Sequence, residues 1–339
     1  MNRSVMTDSS SPALLERALS GDRVALARLL SVAERSAPEF AELHTALFPR
    51  VGQARRIGFT GPPGAGKSTL VEAYGVLRRA RGDSIAVVAV DPSSPFTGGA
   101  LLGDRIRMNR LALDPECFVR SMATRGSFGG LARGTDDLAD VFDAAGFDRV
   151  LLETVGVGQS EVDVARATDT TVVILVPGAG DAVQALKAGL MEIADILVVN
   201  KADRPGAERV VAELEEVLSL RSEESHWQVP VIQTVATNGK NDNGLERLDQ
   251  AIEQQAAAAQ ECGAFALRRA SHLQDKIRRL VEDRLRSELF AGKGLAARIA
   301  EALEERNGRS PYEITAALLS EAGLTSAGHS PGSKNESPA

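Results

Sequence analysis

The sequence predicts an α/β protein: one doubly wound, mostly parallel β-sheet flanked by helices, with helical extensions at both ends. Short aliphatic runs recur between residues 56 and 256 without the polar alternation of half-exposed strands. Each run is followed by a turn rich in Gly or Asp, and most of these turns lead into a helical pattern. Only 4% of the residues are aromatic, so aliphatic side chains must supply the core. Strands that are covered by helices on both faces have this composition.

The overall charge and the cysteines argue against several other classes. The 339 residues carry a formal net charge of −7, which is unlike a generally basic nucleic-acid binder. The chain has no apolar stretch long enough for a membrane helix and begins without the apolar segment of a secretory signal. We therefore expect a cytoplasmic protein with neither membrane nor nucleic-acid partners. Cys117 and Cys262 are too far apart for a disulfide framework or a zinc spacing.

The amino-terminal part is predicted to be helical after a polar lead. Residues 1–11 are rich in Ser and poor in apolar side chains, so we expect them to be disordered. Residues 12–55 form a predicted helical extension, because apolar residues recur there at spacings of three and four. These apolar residues are Leu14, Leu15, Ala18, Leu19, Ala25, Leu26, Leu29, Leu30 and Ala33.

Residues 56–256 are predicted to form the sheet domain, and the segment beyond it is predicted to be helical. We place strands at residues 57–60, 85–90, 150–152, 172–176, 196–199 and 231–234. Residues 264–322 form a predicted helical dimerisation region, and residues 323–339 a disordered tail. The first carboxyl-terminal helix has a narrow apolar stripe, which must pack against either the rest of the chain or a second subunit. The stripe consists of Leu273, Ile277, Leu280, Val281, Leu285 and Leu289.

A glycine-rich motif follows the first predicted strand. The run IGFT leads directly into a GxxxxGK(S/T) pattern and then into a helical pattern. Glycines let backbone N–H groups surround phosphates, and the helix start adds the positive end of its dipole. Lys67 is predicted to reach the β- and γ-phosphates, and the Ser68 hydroxyl to bind Mg²⁺. The predicted phosphate-binding residues are Gly61, Pro62, Pro63, Gly64, Ala65, Gly66, Lys67, Ser68 and Thr69.

The strand at residues 196–199 ends in an NKxD pattern, which is typical of guanine-binding proteins. The Asp203 carboxylate can accept both the ring N–H and the exocyclic amine of guanine, whereas adenine presents an acceptor nitrogen there. Asn200 can bridge the base and the loop, and the stem of Lys201 can lie along the ring face. The pattern favours GTP over ATP.

Three acidic residues, Asp91, Asp104 and Glu153, lie between these motifs at or near strand ends. Mg²⁺ beside a triphosphate takes few protein ligands, so one or two of these carboxylates suffice, and the division of roles stays open. We predict that Asp104 orients or activates the attacking water, with Glu153 as the second candidate. Gly156 is predicted to donate its N–H to the γ-phosphate. Ordinary GTPases usually have Asp at the position of Glu153, so the chain is not Ras-like.

The segments GPPGAGKST, VAVDPSSPFTGGALLGDRIRM, ETVGVGQSE, PGAGD and NKAD together resemble one family, the MeaB/ArgK-type GTPases that act as chaperones of methylmalonyl-CoA mutase. The resemblance covers about residues 12–320. It implies a homodimeric, Mg²⁺-dependent P-loop GTPase that associates with an adenosylcobalamin-dependent acyl-CoA mutase. Such a protein gates cofactor loading and protects or reactivates the mutase.

The resemblance also implies roles by position. It matches Asp91 and Asp104 to metal-linked and first-switch acids, and residues 153–156 to a second switch. Asp181 and Lys187 match a further switch that relays the nucleotide state to the mutase. The alternative interpretation of the PGAGD segment is a glycine turn that follows a strand and has no role in a relay.

One position departs from the family pattern, because Ala188 stands where many members have Lys. This difference lies next to Lys187, in the segment that the resemblance matches to the relay. The resemblance further implies a final loop around the base, formed by Val235, Ala236 and Thr237.

The predicted reaction is in-line attack of water on the γ-phosphate of GTP, with Lys67, Mg²⁺ and loop N–H groups stabilising the developing charge. We expect slow turnover that the partner accelerates. Two alternatives are a nickel-delivery metallochaperone GTPase and a P-loop kinase that phosphorylates a small molecule. The first needs Cys or His ligands near the switches, and the chain has only four His and two Cys. The guanine motif and the lack of a recognisable acceptor pocket argue against the second.

Overall fold

The structure, a computed structural model, describes residues 11–35, 37, 39–91, 108–123, 130–154, 165–178, 189–220, 227–237, 243–289, 295–304 and 310–321. Within these residues the centre is a seven-stranded sheet whose strand pairs are all parallel. Its strands are β1 Arg55–Thr60, β2 Ile85–Asp91, β3 Cys117–Ala123, β4 Arg149–Glu153, β5 Thr170–Leu175, β6 Ile196–Asn200 and β7 Val231–Thr234. They lie in the order β3-β2-β4-β1-β5-β6-β7. The predicted fold class is confirmed.

Helices of the first part of the chain pack on both faces of this sheet. The helices of the described residues are, in chain order, α1 Ser11–Leu19, α2 Arg23–Glu34, α3 Phe40–Leu47, α4 Lys67–Ala80, α5 Asn109–Ala112, α6 Gly130–Ala144, α7 Leu190–Ile193, α8 Ala207–Ser219, α9 Leu245–Glu261, α10 Ala264–Leu289, α11 Leu295–Glu304 and α12 Pro311–Glu321. On β2, Ala86 and Val88 pack in a cluster with the amino-terminal helices and α6, whereas Ile85 and Val87 pack in a cluster with α4 and α9. Alternate residues of one strand therefore face two helical layers, which explains its unbroken apolar run.

Strand β3 is missing from the strands that we predict from the sequence. Its Arg120 interrupts the apolar pattern, and its side chain donates to Ser31 Oγ at 3.2 Å and pairs with Glu34, both on α2. In the sheet, β3 is an edge strand that pairs with β2. The amino-terminal helices thus supply the partners that allow a charged residue inside a strand.

The chain divides into two compact units, residues 1–273 and residues 274–339. Helix α10 begins in the first unit and ends in the second. Its apolar residues Leu273, Ile277, Leu280, Val281 and Leu285, here called the α10 stripe, are 42–52% exposed. Among the described residues, the structure contains no helix that is both long and apolar enough to cross a membrane.

A cluster of ion pairs holds α4 and α9 to the amino-terminal ends of the strands. Arg149, at the start of β4, is 4% exposed, and its Nη2 donates to Glu253 on α9 at 2.5 Å. Arg149 also pairs with Asp83, which accepts a second bond from Arg78 on α4 at 2.7 Å. Burial alone would raise the pKa of Asp83 and Glu253. Hydrogen bonds from the arginines outweigh this effect, so the pKa of each carboxyl lies below its ordinary value of 3.8 or 4.5.

This cluster makes stability depend on pH in the acid range. A carboxyl whose pKa is lower in the folded state stabilises the fold above its unfolded pKa, and the contribution is lost as the pH falls through the folded value. We therefore expect the urea midpoint of unfolding to fall between about pH 5 and about pH 3. Glu253→Gln should be less stable at neutral pH and should show a shallower fall. An equally steep fall in that variant would contradict the assignment.

Candidate functional site

The glycine-rich motif forms a tight loop between β1 and α4, here called the phosphate loop (residues 61–66). Gly61 has φ +141°, and a Cβ there would lie 2.1 Å from the carbonyl oxygen of Ile174 on β5. Gly66 has φ +86° and immediately precedes the first helical residue, Lys67. Any other residue at Gly61 would collide with the neighbouring strand. The close packing of β1 on β5 therefore requires glycine at the start of the loop.

Lys67 and Ser68 begin α4 and are 6% and 9% exposed. The Lys67 ammonium donates to the carbonyl oxygens of Gly61 and Pro62 at 2.9 and 3.1 Å, so its side chain curls back over the phosphate loop. The amino terminus of this 14-residue helix directs backbone N–H groups and the positive end of its dipole toward the same loop. The Lys67 ammonium, the dipole of α4 and the phosphate loop together are suited to binding a polyphosphate.

Glu153 ends β4 beside the start of α4. The Ser68 hydroxyl donates to Glu153 Oε1 at 2.6 Å, and both side chains are buried. The next residue, Thr154, donates its backbone N–H to Phe59 O at 3.1 Å and its hydroxyl to Thr60 Oγ1 at 3.0 Å. These bonds hold the end of β4 against the end of β1. Two oxygen ligands that suit a hard divalent cation are thus brought next to the phosphate loop.

The NKxD segment (residues 200–203) approaches the phosphate loop from β6. Asn200 Nδ2 donates to Ala65 O at 2.9 Å, and Lys201 Nζ donates to Gly64 O at 2.7 Å. Lys201 has φ +55°, an unusual conformation for a residue with a side chain. This backbone turn lets consecutive residues of the segment contact consecutive carbonyls of the loop. The two motifs therefore form one site, although the residues in contact are 135 and 137 positions apart in the chain.

The other predicted base-binding residues lie on the same edge of the sheet. Asp203 is exposed, so its carboxylate is open to a ligand. Val235 and Ala236 are half-buried and Thr237 is exposed. The Val235 N–H donates to Asn243 O at 2.9 Å, which joins the residue after β7 to the residue before Gly244.

Five predicted site residues lie wholly or partly outside the described residues. Asp104, Gly156, Asp181 and Lys187 lie outside the described residues, and Asp91 is described only by its backbone at the end of β2. Their roles stay predictions.

Two residues that support the site, Thr234 and Gly244, are not among the site residues that the sequence predicts. The Thr234 hydroxyl donates to Asn200 Oδ1 at 3.1 Å. Gly244, with φ +78°, lies where a Cβ would come within 2.0 Å of Gln233 O, so it lets α9 start close to β7. A Gly in the segment NDNGL is a visible turn signal, whereas Thr234 reads as an ordinary strand residue.

Comparisons with known proteins indicate one family. The family profile described as "Methylmalonyl Co-A mutase-associated GTPase MeaB" matches residues 26–294. A protein of Pyrococcus abyssi that is named as a GTPase is 47% identical over 283 residues, 83% of this chain and 85% of that protein. GTPase ArgK of Escherichia coli is 37% identical over 287 residues, 82% of this chain and 86% of ArgK. A crystal structure described as LAO/AO transport system kinase has a TM-score of 0.69 and 29% identity, and the match covers 94% of this chain and 100% of that one.

Proposed function

This chain belongs to the MeaB family of methylmalonyl-CoA mutase-associated GTPases, and from that membership we propose that it is the GTP-hydrolysing chaperone of an adenosylcobalamin-dependent acyl-CoA mutase. In this role it gates loading of the mutase cofactor and protects or reactivates the mutase. The observation that carries the proposal is the family match over residues 26–294, which includes the phosphate loop, the NKxD segment and the segments between them.

The chain is a GTPase, and the site geometry supports specific roles for its residues. The phosphate loop binds the phosphates through its N–H groups, and Lys67 stabilises the negative charge that develops on the γ-phosphate. Asp203 reads guanine, while Asn200 and Lys201 hold the base side of the site to the phosphate loop, as their bonds to Ala65 and Gly64 indicate. Base recognition and phosphate positioning thus share one hydrogen-bonded framework.

Ser68 and Glu153 fit a magnesium ion. Their oxygens lie 2.6 Å apart in a buried position at the start of α4, and Mg²⁺ prefers hydroxyl, carboxylate and water oxygens. When bound, Mg²⁺ supplies positive charge that offsets the charge of the phosphates. Asp91, at the end of β2, and Asp104 are the other candidate ligands. Asp104 orients or activates the attacking water, and Glu153 is the second candidate for that role.

The carboxyl-terminal helices are proposed to form a homodimer through residues 264–322. The α10 stripe supports this proposal, since Ile277 and Val281 are both 52% exposed and recur at helical spacing with three leucines. Burial of such a stripe against a second copy removes apolar surface from water. In the proposed switch, Asp181 and Lys187 relay the nucleotide state to the mutase.

The test is phosphate release from GTP with and without an adenosylcobalamin-dependent acyl-CoA mutase from the same organism. Because switch segments ordered by a partner position the attacking water, we expect the mutase to raise kcat at least about tenfold. Heat-denatured mutase is the control. GTP hydrolysis that the native mutase does not change would contradict the chaperone proposal while leaving the GTPase intact.

The same assay separates hydrolysis from phosphoryl transfer. Hydrolysis releases one phosphate for each GDP formed, whereas a kinase with an acceptor present forms more GDP than free phosphate. We expect equal amounts. A shortfall of phosphate in the presence of an amino acid would instead support the kinase alternative.

A further inference from the structure

The Asn200 side chain is held by bonds at both ends of its amide. Its Oδ1 accepts from the Thr234 hydroxyl at 3.1 Å and from the Ala236 N–H at 3.4 Å. Its Nδ2 donates to Ala65 O in the phosphate loop at 2.9 Å. Asn200 and Thr234 are 2% and 1% exposed, so water cannot replace these bonds without opening the site.

The orientation of this amide matters because its two ends differ chemically. Rotation by a half-turn would place Oδ1 against the carbonyl oxygen of Ala65 and Nδ2 against the Ala236 N–H, so acceptor would face acceptor and donor would face donor. The Thr234 hydroxyl is the nearer of the two donors on Oδ1. The Ala236 N–H and the Ala65 carbonyl, whose roles are fixed, set the orientation of the amide, and the Thr234 hydroxyl donates to Oδ1 in that orientation and so holds the side chain in place.

Thr234 also holds the backbone of the NKxD segment. Its carbonyl oxygen accepts from the Ala202 N–H at 3.0 Å. Ala202 lies between Lys201, which donates to Gly64 O, and the base-reading Asp203. Thr234 thus contacts both the side chain and the main chain of the segment.

We propose that Thr234 is a positioning residue, which sets the affinity for guanine nucleotides by holding the Asn200 amide in place. The inference rests on the proposed nucleotide site. Its hydroxyl links the strand after the base-reading segment to Asn200, and Asn200 links that segment to the phosphate loop. Loss of the hydroxyl weakens the hold on both the base and the phosphates, while leaving Lys67, Ser68 and Glu153 in place.

The experiment measures the Kd for GDP, and KM and kcat for GTP, in Thr234→Val and Thr234→Ser. Valine keeps the shape of threonine without the hydroxyl, so we expect the Kd and KM to rise about tenfold and kcat to stay within about twofold. Serine keeps the hydroxyl and should restore the Kd to within about threefold of wild type. Thr170→Val is the matched control, since it removes a buried hydroxyl that donates to Gln255 at 2.6 Å at the amino-terminal end of β5. Its Kd for GDP should not change.

A double-mutant cycle with Asn200→Ala separates positioning from general stability. If Thr234 acts through Asn200, Thr234→Val changes the Kd less than about twofold in the Asn200→Ala background. A full tenfold effect in that background, or an unchanged Kd in Thr234→Val itself, would overturn the inference. If valine prevents folding, Thr234→Ala enters the same cycle. Wild type that fails to bind GDP would instead overturn the nucleotide site, so the two failures are distinct.

Discussion

Lys67→Ala is expected to lower kcat for GTP hydrolysis by roughly 10²–10³. The ammonium of Lys67 lies over the phosphate loop, 2.9 Å from Gly61 O, and it is the described cation predicted to meet the γ-phosphate. A preorganised positive charge in a buried site stabilises the transition state more than the ground state, so kcat falls together with kcat/KM. Single-turnover phosphate release with saturating GTP measures the chemical step directly.

Two further variants test whether the loss of rate is specific to the Lys67 ammonium. Lys67→Arg retains the charge but replaces a compact ammonium by a planar guanidinium, so it should restore little of the rate. Arg209→Ala removes an exposed cation of α8 that pairs with Glu213, and it should hydrolyse GTP at the wild-type rate. If Lys67→Ala is as fast as wild type while still folded, the assignment of the catalytic site to the phosphate loop is wrong.

Asp203→Asn is expected to change the base that the site selects. The carboxylate accepts two N–H donors from guanine, whereas an asparagine amide places a donor where one of those donors lies. A site built for such bonds discriminates steeply, so the affinity for GTP should fall by roughly 10²–10⁴. Xanthine carries a carbonyl in place of the exocyclic amine and matches the new donor. XTP should therefore bind the variant better than GTP does.

Competition between GTP and XTP for one fluorescent nucleotide measures this change. Asp203 is exposed, so the substitution should leave the melting temperature near that of wild type. Glu208→Gln, at the start of α8 and also exposed, is a matched control that neutralises a nearby carboxylate without touching the segment. Unchanged preference for GTP in Asp203→Asn would show that another residue reads the base. If Asp203→Asn prefers XTP, the mutase assay repeated with this variant and XTP ties any stimulated hydrolysis to this chain.

Much of the fold and of the candidate site follows from local sequence patterns. The runs that become β1, β2, β4, β5, β6 and β7 are aliphatic because helices cover both faces of the sheet. The phosphate loop can be recognised in the sequence because its chemistry depends on glycines and a lysine that are close neighbours in the chain. The NKxD segment can be recognised for the same reason. Strand β3 escaped prediction because Arg120 finds its partners Ser31 and Glu34 about 90 residues away.

The sequence by itself thus determined the class of fold, the two binding motifs and the family resemblance. Only the tertiary structure decided which side chains act together. Ser68 meets Glu153 across 85 residues, Asn200 meets Ala65 across 135, and Thr234 meets Asn200 across 34. These contacts depend on the order β4-β1-β5-β6-β7, which brings the carboxyl ends of separate strands to one edge. Strand order and register arise from packing of the whole chain, so no local pattern could reveal that the Thr234 hydroxyl bonds the Asn200 amide.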